Sequence, residues 1–276
     1  MARLHMGITT VSGAATIGKD LARDREFLGT CAVLFIASAV ATIYWCRSMS
    51  ASMAMPGGWT MSMAWMRMPG QMWLGAAASF VGMWAVMIVA MMLPSLVPML
   101  LSYRDSVRGP DGTRLGRLTA LAGAGYFFVW VVFGVISYSV GVSLVAAEMR
   151  WPNFARSVPI DIGVVLLLAG SIQFTAWKSR ELAHCRNAPT TGPLSPDARS
   201  AWQHGVHLGV HCSLCCSGLM MVLLVTGVMS LGAMAVVGVA ITVERLTPRS
   251  MRADWVTGVI VIAVGVLMIA RALGPR

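Results

Sequence analysis

Apolar residues fill most of the chain, and the polar positions gather between long runs instead of alternating with them. A helix needs about 20 consecutive apolar residues to cross the roughly 30 Å hydrocarbon core of a bilayer. The first such run extends from about Phe27 to Cys46, and others follow at Met72–Leu101, Leu118–Ala146 and Ile160–Trp177. From Gly205 to Val243 the stretch is nearly unbroken, and as one helix it would rise about 58 Å and overshoot the membrane. A break at Gly227-Val228-Met229-Ser230 divides it in two, and Trp255–Leu273 supplies the last helix. The pattern predicts an all-α polytopic membrane helix bundle of about seven transmembrane helices, with a six-span alternative that fuses the fifth and sixth. The first run exceeds the roughly 7–15 residues of a secretory core, so it reads as a retained span. Residues 1–26, ending in Arg23-Asp24-Arg25-Glu26, read as a cytoplasmic N-terminal segment, and 27–273 as a single transmembrane bundle.

Composition agrees. The 276 residues are 57% hydrophobic and 12% charged, against about 25% charged in soluble domains, which excludes an ordinary soluble fold. A net charge of +10 would suggest nucleic acid as partner in a soluble protein, whereas here basic residues in short loops set topology and meet anionic lipid. With the N-terminus in the cytoplasm, 15 of the 21 Lys and Arg residues fall on the inner side and six on the outer, in line with the positive-inside tendency. The six-span alternative gives 14 and seven. The expected setting is therefore a bacterial inner membrane, with a Met-rich outer loop 47–71, a cytoplasmic loop 178–204, the lipid bilayer as partner and no nucleic acid.

The chain holds 22 methionines. Met49, Met53, Met55, Met61, Met63, Met66, Met68 and Met72 crowd the outer loop and the entry to the second span. Thioether sulfur is soft, uncharged and unable to form disulfides, so it suits capture of Cu(I) outside the cytoplasm, where free thiols oxidise. Inside the second span Met83, Met87 and Met91 recur every fourth residue and share one helix face, with Met92 beside the last. Such a ladder passes a soft cation by ligand exchange, or else packs as adaptable core filler. Pro94 and Pro98 follow and each removes a backbone donor, which predicts a kink.

The densest chemistry is His204, His207, His211, Cys212, Cys215 and Cys216. At 100° per residue the three histidines and Cys215 fall within an arc of about 80°, and Cys212 and Cys216 widen it to roughly 180°. Ionisable and thiol groups in an apolar span are costly without partners and mark function. Adjacent Cys215 and Cys216 cannot both aim at one ion from one regular helix, so the group calls for two ions or a ligand from elsewhere. His184 and Cys185, at the inner end of the fourth span, are the candidates, beside Gln173, Thr175, Lys178 and Glu181. Gly205, Gly209 and Gly218 allow local irregularity or the close approach of another helix. Glu148, Asp161 and Glu244 read as interfacial, Glu244 pairing with Arg245 or capping, and Trp45, Trp130, Trp151, Trp177 and Trp255 as interfacial belts. A phosphate-binding glycine loop, a serine nucleophile elbow and a His-Glu-x-x-His motif are all missing, which speaks against ATP-driven transport within this chain.

Several of these residues form a recurring pattern. Trp84-x-x-Met87-x-x-Ala90-Met91-Met92-x-Pro94-x-x-x-Pro98 is followed by Gly125-Tyr126 with Trp130, then Gln173-x-Thr175-x-x-Lys178 leading to Cys185-Arg186. His211-Cys212-x-x-Cys215-Cys216 and Glu244 with a following basic residue complete it. Over about residues 72–250 the chain resembles a bacterial family of unknown function described as predicted metal-binding integral membrane proteins. It departs at Glu181, where the family tends to carry a second cysteine four residues before Cys185. The resemblance implies metal binding and supplies no reaction.

The expected function is handling of copper(I) in the membrane, as a carrier or as a delivery factor for a cuproenzyme, with zinc as the alternative ion because it accepts the same ligands. Two other classes stay open. One is a membrane thiol-disulfide oxidoreductase using Cys212 and Cys215, which lie at a helical spacing that a disulfide spans. The other is an accessory or assembly subunit of a larger membrane enzyme.

Overall fold

A computed structural model describes residues 5–48, 52–54, 60–62, 65, 70–107, 112–186, 195–247 and 252–274. Among them the chain forms eight helices: α1 (His5–Ser48), α2 (Trp73–Ser106), α3 (Gly112–Arg150), α4 (Pro152–Ile172), α5 (Ala176–Arg186), α6 (Ala198–Thr226), α7 (Leu231–Leu246) and α8 (Ala253–Leu273). Between α1 and α2 a short antiparallel ribbon joins β1 (Ser52–Ala54) to β2 (Thr60–Ser62), with Met53 opposite Met61 in register. Met49, Met55, Met63, Met66 and Met68 of the Met-rich loop lie outside the described residues. Trp65 fastens this loop to the bundle. Its ring lies 4.9 Å from that of Phe80 on α2 and fills the space where Gly141 of α3 lacks a side chain.

Among the described residues five helices are long and apolar enough to cross a membrane, six when the bent pair α4 and α5 counts as one span. By this measure the span count is five or six, which includes the six-span number of the expectation, with α7 left out. The residue responsible is easy to name: the break read from Gly227 to Ser230 is present, but it leaves α7 with only 16 residues, about 24 Å, short of the hydrocarbon core. Gly227 turns the chain at φ +117°, where a β-carbon would be strained, and Ser230 caps α7 by accepting from the Ala233 amide at 3.3 Å. At the N-terminus, α1 is already helical at His5 and continues unbroken into the first span.

The fourth apolar run breaks at 173–175, and the two halves meet at 68°. Thr175 makes the corner: its hydroxyl donates to the Ile172 carbonyl at 2.7 Å and accepts from the Lys178 amide at 3.2 Å, ending one helix and capping the next. The turn carries Lys178, Leu182 and Cys185 under α6, so a stretch expected as loop from residue 178 is helix as far as Arg186.

Two helices come into backbone contact because their facing residues have no side chain. A β-carbon on Gly205 of α6 would strike the Ala122 carbonyl of α3, and one on Gly125 would stand 2.6 Å from the Trp202 carbonyl. In lipid, where burial of apolar area drives little association, such small-residue contacts hold helices together. Gly209 and Gly218 serve likewise against α3 and α4, so these glycines mark close approach, and α6 stays regular. The shared core lies among α2, α3, α6 and α7. Trp130 belongs to it and not to an interfacial belt: it is buried in mid-α3, and its carbonyl accepts from the Trp84 indole at 3.0 Å. Trp151, Trp177 and Trp255 are exposed.

Candidate metal centre

The six His and Cys residues of α6 do not share one environment. Cys212, Cys215 and Cys216 turn inward and are 0–1% exposed, and Cys185 arrives from α5 equally buried. Cys216 lies 4.0 Å from Cys212 and 3.9 Å from Cys215, sulfur to sulfur, and Cys185 neighbours Cys215 from α5. Four thiols from two helices thus meet in the apolar interior, and all are free. Glu181, where the chain departs from the family it resembles, pairs with His211 instead of joining them.

Three imidazoles form a second group at the side of the bundle. His211 stacks on His184 with ring centres 5.1 Å apart, and His207 lies 4.4 Å from His211. Glu181 fixes His211 through Nδ1 at 2.7 Å, and His184 is held by the Arg180 carbonyl at 2.9 Å. His184 and His207 are exposed, and His211 is partly so. His204 joins neither group. It stacks on Tyr103 at 5.0 Å with Nε2 buried and without a hydrogen-bond partner. Among the described residues no three His, Cys, Asp or Glu side chains converge as a preformed metal site. Two thiolates about 2.3 Å from one ion and 3.9–4.0 Å from each other subtend about 120° at it, so the thiol pairs need little movement to share one soft ion.

Met83, Met87 and Met91 are all buried on the α2 face towards the same core. The period continues through Ser95 to Met99, and both of these meet Arg245 of α7. Arg245 is buried beside the thiols: Nη1 donates to Ser95 Oγ at 2.8 Å, Cys212 Sγ at 3.1 Å and Tyr126 Oη at 3.5 Å, while Nη2 reaches Met99 Sδ at 2.9 Å. Tyr126 itself contacts Cys212 at 2.9 Å. Next to Arg245, Glu244 points into the protein. It is buried and pairs with Lys178 at 2.7 Å, and the same ammonium donates to the Cys215 carbonyl at 2.6 Å.

The sequence reading missed Arg245, Tyr126, Ser95 and Met99 as parts of this site. A usable signal was present, because Arg and Lys inside apolar runs require partners and Met99 extends the four-residue period of the ladder. Desolvating a Lys–Glu pair and an arginine costs several kcal/mol per ion, so packing alone gives no reason for them.

The arrangement brings soft sulfur ligands and fixed charge together in the buried core, with borderline nitrogen ligands nearer the surface. No curated protein and no solved structure matches the chain. A family model described as PpoB2, copper chaperone, matches residues 81–268, a stretch that contains both clusters and the whole methionine ladder. The chain therefore belongs to the PpoB2 copper chaperone family.

Proposed function

We propose that this protein is a bilayer-embedded chaperone that holds copper(I) on two thiolates drawn from the buried cluster of Cys212, Cys215, Cys216 and Cys185 and delivers it to a cuproenzyme at the membrane. The observation that carries the reading is the meeting of four thiols in a water-excluded core, where soft sulfur selects Cu(I). In this account the N-terminus lies in the cytoplasm of a bacterium and the Met-rich segment faces outward. Thioethers there collect copper weakly, Met83, Met87 and Met91 pass it along α2, and the thiols bind it more tightly. His184, His207 and His211 form a peripheral station used during transfer. Zinc accepts the same cysteine and histidine ligands and is the alternative ion that the test below distinguishes.

The test is elemental analysis of the protein purified from copper-supplemented cells. The wild type retains stoichiometric copper and no zinc. The combined Cys212→Ser, Cys215→Ser and Cys216→Ser variant loses it. Copper at background in the wild type, or unchanged in the variant, removes the proposal.

A further inference from the structure

The buried charges around the thiols do not sum to zero. Lys178 and Glu244 cancel one another at 2.7 Å. Arg245 remains, and among the described residues it makes no ion pair. Its partners are the hydroxyls of Ser95 and Tyr126 and the sulfurs of Cys212 and Met99, none of them a carboxylate. A guanidinium is always charged, and in an apolar interior an unpaired cation is strongly unfavourable. The protein keeps it there and aims two of its donors at sulfur.

Binding of copper(I) by two of the thiols creates the missing anion. When Cu(I) binds two cysteines, two S–H bonds break, two Cu–S bonds form, and two protons leave to solution. The product is a bis-thiolate copper(I) unit of charge −1, and any third donor, such as a thiol or the Met99 thioether, adds none. With Arg245 beside it the site is neutral. A divalent ion between the same two thiolates leaves a surplus positive charge in a medium that does not screen it.

We infer that Arg245 is a built-in counter-cation, positioned on Cys212 by Ser95 and Met99, that stabilises the anionic two-thiolate complex of a monovalent soft ion and disfavours divalent ions. The inference rests on the proposed binding of copper at the thiols. It adds a specificity-determining residue outside the ligand set, on a different helix, and it identifies the cargo by its charge as well as by its softness.

The experiment measures Cu(I) affinity of the full chain in detergent, anaerobically, by competition with bathocuproine disulfonate, and Zn(II) affinity in parallel by competition with a chromophoric zinc chelator. Loss of a buried counter-charge predicts that Arg245→Gln weakens Cu(I) binding about a hundredfold while Zn(II) binding is unchanged or tighter. Arg245→Lys keeps the charge and stays within about tenfold of the wild type.

A second pair of variants leaves Arg245 in place. Ser95→Asp sets a carboxylate on the guanidinium and neutralises it, so Cu(I) binding falls as in Arg245→Gln. Ser95→Asn, of the same size and uncharged, keeps Cu(I) affinity near that of the wild type. Equal effects of Asp and Asn, or Cu(I) and Zn(II) affinities that fall together in Arg245→Gln, overturn the inference while leaving thiol binding intact. A wild type whose Cu(I) affinity is indifferent to Cys212→Ser with Cys216→Ser overturns the binding reading itself, and the inference with it.

Discussion

The thiol cluster and the imidazole cluster begin one helical turn apart on α6, yet they are built on opposite principles. Cys212, Cys215 and Cys216 face α3, α5 and α7, are closed off from solvent, and are surrounded by Lys178, Glu244 and Arg245, whose burial has to be compensated within the protein. His207 and His211 face the side of α5, keep partial exposure, and are positioned by one carboxylate and by ring stacking. The lesson is that neighbouring positions along one helix do not make one site. What separates them is which neighbouring helix each face meets, and hence whether water or fixed charge completes the surroundings.

The comparison breaks most visibly if charge is removed from the thiol side. Lys178→Met leaves Glu244 buried opposite an apolar side chain, and the cost of breaking a buried pair is about 3–5 kcal/mol. Thermal unfolding in detergent should therefore show a sharply destabilised or unfolded protein. Removing both charges in Lys178→Met with Glu244→Leu should restore most of the stability, because the desolvation cost disappears with the pair. A Lys178→Met variant as stable as the wild type would mean that the pair is not buried as described.

A smaller effect should follow from wedging the helices that close the pocket. Gly205→Ala places a methyl group against the Ala122 carbonyl, and overpacking of this kind costs about 1–3 kcal/mol. The same shift draws Tyr126 of α3 away from Cys212, so Cu(I) affinity should fall together with the melting temperature. Gly232→Ala, at a position with open space around its β-carbon, should change neither, and it serves as the control in the same melting experiment.

The imidazole side should be the most tolerant. Glu181→Gln weakens a partly exposed contact with His211, worth about 1 kcal/mol or less in stability. Replacing His184, His207 and His211 together by alanine should leave copper retention at equilibrium unchanged, as judged by elemental analysis, and slow only transfer to an acceptor. Loss of retention in this variant would make the imidazoles holding ligands and erase the distinction between the two clusters.

Much of the architecture was legible in the sequence because it is local. The long apolar runs gave the helices, and Gly227 with Ser230 gave the break between α6 and α7, since a glycine at positive φ and a serine cap act within a few residues. The i, i+3 and i, i+4 spacing of Cys212, Cys215 and Cys216 placed them within reach of one another. The bend at Thr175 was hidden because hydropathy continues through it to Trp177. The separation of histidines from cysteines was hidden too, because a helical wheel orders the faces of one helix without saying what packs on each. Lys178 with Glu244 and Arg245 with Cys212 pair across 66 and 33 residues, and only the packing of α5, α6 and α7 brings them together. Trp130 looked interfacial because a tryptophan in an apolar run often is, whereas it is buried in the core with its carbonyl accepting from the Trp84 indole, which sits against Gly134.

The most direct measurement is X-ray absorption at the copper edge of the purified, copper-loaded chain under reducing conditions. The account predicts monovalent copper with a first shell of sulfur only and no imidazole scattering, lost on replacing Cys212, Cys215 and Cys216 by serine. A shell dominated by imidazole nitrogen, and indifferent to those replacements, would contradict it.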